Sequence, residues 1–231
     1  MQLSSNQTKA IIGIILLIVI GAILYSVTKK SVELPPMTVQ EKKARFKALI
    51  VPAVEHVYDD LMTQYQDIKA MIDNGQTNDE IEELKIEYKA SNNDELLMAL
   101  KPHPKSIAIA QAAIESSWAT SRFFLEAYNI FGVWSFDEDE ARIAALQKRG
   151  DKTIWVRKYD SIKEAVYDYY RTLARGNAFV EFRQTTMETS DPYVLVTKLD
   201  RYSEKGSAYG EELSAIIKFN NFDDYDIENI E

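Results

Sequence analysis

One carboxylate stands out for the company it keeps. Residues 106–136 read SIAIAQAAIESSWATSRFFLEAYNIFGVWSF, and between Lys105 and Arg122 the single charge is Glu115. Ile107, Ala110, Ile114, Ser117 and Ser121 recur at three- and four-residue steps, which predicts a helix. The alanines at 108, 110, 112 and 113 favour that helix and let neighbours pack closely. On helical spacing Gln111, Glu115, Trp118 and Arg122 share a second face, with an indole one turn from the acid. A carboxyl among alanines and beside an aromatic is partly desolvated. Burial disfavours its charged form and raises its pKa, the condition a general acid needs near neutrality.

The residues that follow narrow the chemistry. Asn129-Ile130-Phe131-Gly132-Val133-Trp134 reads as a helix exit through a glycine turn into a short aromatic strand. The pair of motifs AQAAIESSWATSRF and NIFGVW resembles the glucosaminidase domain of glycoside hydrolase family 73, in its Bax-like branch. That resemblance implies a lysozyme-like fold, mainly α with a small β-hairpin lobe, acting on the glycan strands of peptidoglycan. It makes Glu115 the general acid and assigns Trp118, Asn129, Phe131 and Trp134 to the substrate side of the site. It also places Tyr202, in the loop Arg201-Tyr202-Ser203-Glu204-Lys205-Gly206, at the catalytic cleft, and matches Tyr209 to a second family tyrosine. On pattern alone Tyr202 fits either core or cleft, and Tyr209 fits core.

Cleaving a glycosidic bond needs a proton donor and a second group that activates water or stabilises the transition state. Asp137, Glu138, Asp139 and Glu140 are candidates for a second carboxylate across the cleft. Glu138 is the working choice, although the sequence does not choose among the four. Assistance by the N-acetyl group of the sugar would remove the need for any of them, with Tyr202 then orienting that group. The expected reaction is hydrolysis of β-1,4 bonds after N-acetylglucosamine. The alternatives are a lytic transglycosylase and a non-catalytic, membrane-anchored glycan-binding scaffold.

Composition excludes other chemistries. The formal net charge of −9 and the lack of a basic patch interleaved with aromatics argue against nucleic acid. With no cysteine there is neither a disulfide framework nor a thiolate metal site. His56 and His103 lack ligand spacing and read as packing or surface residues, and no Gly-rich phosphate loop occurs, so no metal or cofactor is expected.

The remaining elements must position the site. Residues 10–28 carry no charge and as a helix span about 28 Å, the thickness of a bilayer's hydrocarbon. We expect an uncleaved anchor in a bacterial inner membrane. Lys29 and Lys30 after the run, against Lys9 before it, would put the rest in the cytoplasm under the positive-inside rule. A peptidoglycan substrate requires the periplasm or cell wall, and we follow the substrate. The expected organisation is an anchor over 1–30, a linker and helical region over 31–100, and a glucosaminidase-like domain over 101–231.

Pro35-Pro36 marks the linker. A helix then runs from Val39 with a stripe of Phe46, Ile50, Val54, Val57, Leu61, Tyr65, Ile68 and Ile72, which Pro52 is expected to kink or divide and Asn74-Gly75 to close. Further helices open at the caps before Asp79 and Asp94. A short helix is expected after the acidic run, as far as Lys148, and a hairpin pairing residues 133–136 with residues 154–159. Helices after Ser161 and Asp191, and a final one carrying Tyr209, Leu213, Ile216 and Ile217, complete the chain.

Overall fold

A computed structural model describes residues 34–227; the apolar run at 10–28 lies outside them. Among the described residues no helix is long and apolar enough to cross a membrane.

The fold starts from α1 (Val39–Asp73), whose Thr38 and Glu41 form a reciprocal capping box. Its apolar stripe is buried as the spacing predicts, with Phe46, Ile50, Val54 and Val57 fully inside. Pro52 does not divide it, contrary to expectation: the helix is continuous over 35 residues. Pro52 is exposed, as is Ala48, whose carbonyl loses its helical partner there and faces water instead. The second half of α1 packs Tyr65 and Ile68 against Ile81 and Leu84 of α2 (Asp79–Tyr88) and Leu96, Leu97 and Leu100 of α3 (Asn93–Leu100). Its first half belongs to a larger core around α4 (Lys105–Glu115).

That central helix is buried from Ser106 to Ala113. Its alanines let α1, the last helix α9 (Ser207–Asn220) and the 3-10 turn Phe222–Asp226 all lie against it. α4 ends at Glu115, earlier than the sequence spacing suggests. Ser117, Trp118 and Ala119 take φ of 51°, 63° and 58°, a left-handed turn built from residues that ordinarily avoid it. Ser116 braces the turn from within: its Oγ donates to the Ala112 carbonyl at 2.5 Å and accepts from the Ala119 N–H at 2.8 Å. A short α5 (Arg122–Ala127) follows, capped by Ser121.

The expected helix before Lys148 is instead a strand. β1 (Arg142–Arg149) pairs antiparallel with β2 (Lys152–Arg157) across the Gly150-Asp151 turn. The stretch is rich in Ala, Leu, Arg and Lys, good helix formers, but pairing with β2 overrides that preference. The pairing foreseen for residues 133–136 survives only as a single bridge, Trp134 to Val156, flanked by Ser135 N–H to Trp155 O at 2.9 Å and Arg157 N–H to Val133 O at 3.0 Å.

The chain then returns to helix through α6 (Ile162–Arg175), α7 (Val180–Glu188) and the short α8 (Pro192–Leu195) before α9. The described residues are thus mainly helical with one two-stranded antiparallel sheet.

Candidate active site

Glu115 is the last residue of α4, where the negative end of the helix dipole disfavours a carboxylate. Burial is the main cause raising its pKa above the usual 4.5, and the nearby charge of Glu212 adds to it; a hydrogen bond from Tyr209 and the charge of Lys205 pull the other way.

The acid is held by a directed chain of hydrogen bonds. Tyr169 of α6 donates to Gln111 Oε1 at 2.5 Å, Gln111 Nε2 donates to Tyr209 Oη at 3.1 Å, and Tyr209 donates to Glu115 Oε1 at 2.9 Å. Gln111 and Glu115 lie one turn apart on α4, so the spacing that suggested a shared face does bring these two together. Because Tyr209 already receives a proton from Gln111, its own must go to the carboxylate. Oε1 is therefore an acceptor, which leaves Oε2 as the oxygen able to carry the proton. Oε2 faces Gly132: a Cβ built there would lie 3.9 Å from it. Gly132 has φ +68°, the left-handed region that glycine enters without a Cβ penalty.

Asn129 builds that turn. Its Oδ1 accepts from Val133 N–H at 2.9 Å, and its Nδ2 donates to the carbonyls of Val133 and Arg157 at 2.9 and 2.8 Å. The buried amide is spent on backbone, tying the turn to β2. Phe131 is buried and stacked on Tyr169 with centroids 4.0 Å apart, so it supports the tyrosine that starts the chain.

Trp118 does not sit over the acid as helical spacing suggests. The left-handed turn swings it away, and its ring meets Phe46 at 5.1 Å and Phe222 at 6.2 Å, with Lys43 over its face. Trp134 and Phe136 are exposed, their rings 6.1 Å apart. Tyr202 lies flat on Tyr209 with centroids 5.5 Å apart, and the tyrosine touching the acid is Tyr209, which pattern alone assigned to the core. Tyr209 is also 1% exposed, so it serves core and site together. Burial raises the pKa of Tyr169, Tyr202 and Tyr209, keeping all three neutral donors.

The acids of residues 137–140 are engaged locally. Asp137 accepts from Asp139 N–H at 2.9 Å, Glu138 pairs with Arg142 at 3.6 Å with its side chain 90% exposed, and Glu140 pairs with Arg157 at 2.9 Å. Sequence reasoning missed Tyr169, Lys205 and Glu212 as neighbours of Glu115; tyrosines and charges on distant elements leave no local signal. His103 is buried against Tyr170, ring centroids 4.5 Å apart, while His56 lies at the surface beside Asp60.

A partly buried acid at a helix end, with one oxygen fixed by a neutral donor and the other open beside a glycine turn, defines a site for proton donation. The glucosaminidase family, described as mannosyl-glycoprotein endo-beta-N-acetylglucosaminidase, matches residues 91–222, and the chain belongs to it. The chain is similar to the exo-glucosaminidase LytG of Bacillus subtilis, 28% identical over 142 residues, covering 52% of this chain and 45% of that protein. It is also similar to protein bax of Escherichia coli, 28% identical over 123 residues, covering 51% and 43%. The chain thus spans less than half the length of these curated relatives. Among solved structures, the catalytic domain of the autolysin Auto from Listeria monocytogenes aligns at 20% identity and TM-score 0.45, over 84% of this chain and all of that one. A peptidoglycan hydrolase from Sphingomonas sp. A1 aligns at 20% identity and TM-score 0.44, over 55% and 86%.

Proposed function

We propose that this protein hydrolyses peptidoglycan, cleaving β-1,4 bonds that follow N-acetylglucosamine, with Glu115 as the general acid. The observation that carries the reading is the division of labour between the two oxygens of Glu115: Oε1 accepts from Tyr209, and Oε2 faces the Gly132 turn. An acid whose pKa is raised by burial holds its proton further toward neutrality and delivers it to the leaving oxygen as the bond breaks. Family membership supports the substrate class.

The lysozyme-like arrangement would set the glycan between α4 and the hairpin. Trp134 on the exposed side offers a flat apolar face to a sugar ring, while Asn129 and Phe131 act by shaping the turn. Glu138, on the approach to the hairpin, is our candidate for the carboxylate that activates water, and Tyr202 supports Tyr209 by stacking. The catalytic unit is residues 101–231, joined through the helical region of residues 31–100 to an anchor at residues 10–28, with the catalytic unit facing the periplasm.

The test is digestion of purified peptidoglycan by the full chain in detergent. New reducing N-acetylglucosamine ends, lost in Glu115→Gln, support the reading. A second reading, lytic transglycosylation, is favoured by the local engagement of the acids at 137–140, since that reaction needs one acid and no activated water. Products ending in anhydro-sugars identify it, and binding without product release identifies a scaffold.

A further inference from the structure

The hydrogen-bond partners that fix Glu115 are neutral, but two full charges also act on it. Glu212 follows Tyr209 by three residues on α9, so the two side chains leave that helix on one face. Tyr209 reaches Glu115 directly, and Glu212 stands one turn further along the same face. Lys205, in the loop that leads into α9, closes onto Glu212 with Nζ to Oε2 at 2.6 Å. The groups facing Glu115 are then Tyr209 and Glu212 from α9, Lys205 and Tyr202 from the preceding loop, and Tyr169 from α6. The three tyrosines are kept neutral by burial. Lys205 and Glu212 are therefore the charged pair facing the acid, and their fields act on it with opposite sign.

We propose that the Lys205–Glu212 ion pair is an electrostatic positioning device for Glu115, with the cation favouring its carboxylate, the anion favouring its carboxylic acid, and the intact pair setting the pH range in which the acid holds its proton. The proposal rests on the reading of Glu115 as the general acid. Neither residue touches the carboxyl through a hydrogen bond; both act through space. The pair is half exposed, with Lys205 at 53% and Glu212 at 38%, so water and salt reach it and its influence is screened by ions. An exposed pair of this kind adds little to stability, which separates its electrostatic role from a structural one.

The experiment is a direct titration of the Glu115 side-chain carboxyl in the full chain in detergent micelles. Glutamate is labelled with carbon-13, and the resonance is assigned by its loss in Glu115→Gln. Lys205→Gln should move the midpoint up and Glu212→Gln should move it down, each on the order of half a pH unit at low salt, with the double variant close to wild type. At high salt the displacements should shrink. Midpoints that stay put, or that move in the same direction in both variants, overturn the proposal. The pH profile of peptidoglycan cleavage separates the two levels. Where the midpoint moves with the variants but the alkaline limb of activity does not, the pair acts on Glu115 as stated and the assignment of Glu115 as the general acid is what fails.

Discussion

Glu115 works against the fold that holds it. Its ionised form is disfavoured by burial, so its pKa in the folded chain lies above its unfolded value near 4.5. The sign follows from linkage: a group with a raised folded pKa favours the fold fully only below the unfolded pKa, and that contribution is lost as pH rises through the folded value. Glu115→Gln removes the penalty while keeping an oxygen to accept from Tyr209. The variant should therefore melt higher than wild type at pH 7, and the gap should close as the pH falls below 4.5; thermal scans across that range check it. Tyr209→Phe acts differently. It removes the donor that favours the carboxylate, so the alkaline limb of activity should move to higher pH. It also strands the buried Gln111 amide, at a cost of roughly 1–3 kcal/mol in denaturant unfolding.

At the scale of the element, two turns place the chemistry, and they were unequally legible. The Gly132 turn is written locally: Asn129 and Gly132 carry the residue types that such a turn needs, and the sequence reading placed it correctly. Gly132→Ala should strain a φ of +68° by about 1–2 kcal/mol and set a methyl 3.9 Å from Glu115 Oε2, lowering cleavage by roughly ten- to a hundred-fold. Steady-state rates alongside melting curves separate the two effects. The left-handed turn at residues 117–119 was illegible, because Ser117, Trp118 and Ala119 have no preference for positive φ. What holds them there is tertiary: the bonds of Ser116 and the pocket that receives the indole. For the same reason β1 was read as helix, since its strand partner lies beyond the turn. Trp118 and Trp134 give a paired test. Trp118→Ala should cost roughly 2–4 kcal/mol, below the full range for a buried aromatic because the ring is partly exposed. Trp134→Ala should leave the melting temperature nearly unchanged and weaken binding to purified sacculi.

Across the whole molecule, α1 joins two apolar clusters. Phe46, Ile50 and Val54 enter the core around α4, and Tyr65 and Ile68 enter the cluster with α2 and α3. A continuous helix shared by both should make them unfold together. Leu96→Ala in the smaller cluster and Ile109→Ala in the larger one should each lower the same single transition, by roughly 2–5 kcal/mol; two separate calorimetric transitions would show that the helix does not couple them. The large pattern of this architecture was readable from periodicity: the α1 stripe, the buried α4 and the helices after Ser161 and Asp191 lie where their spacing and caps predict. What spacing could not give was which distant side chains meet. Tyr169, Tyr209, Lys205 and Glu212 reach Glu115 from α6, α9 and a loop, brought there by packing.

The central claim is that Glu115 donates the proton that breaks a glycosidic bond in peptidoglycan. Mass spectrometry of fragments released from purified peptidoglycan by the full chain, beside Glu115→Gln, tests it most directly. The account predicts new reducing N-acetylglucosamine ends that appear with wild type and are absent with the variant, although the variant is folded and at least as stable at pH 7. Release of the same ends at an undiminished rate by Glu115→Gln would contradict it.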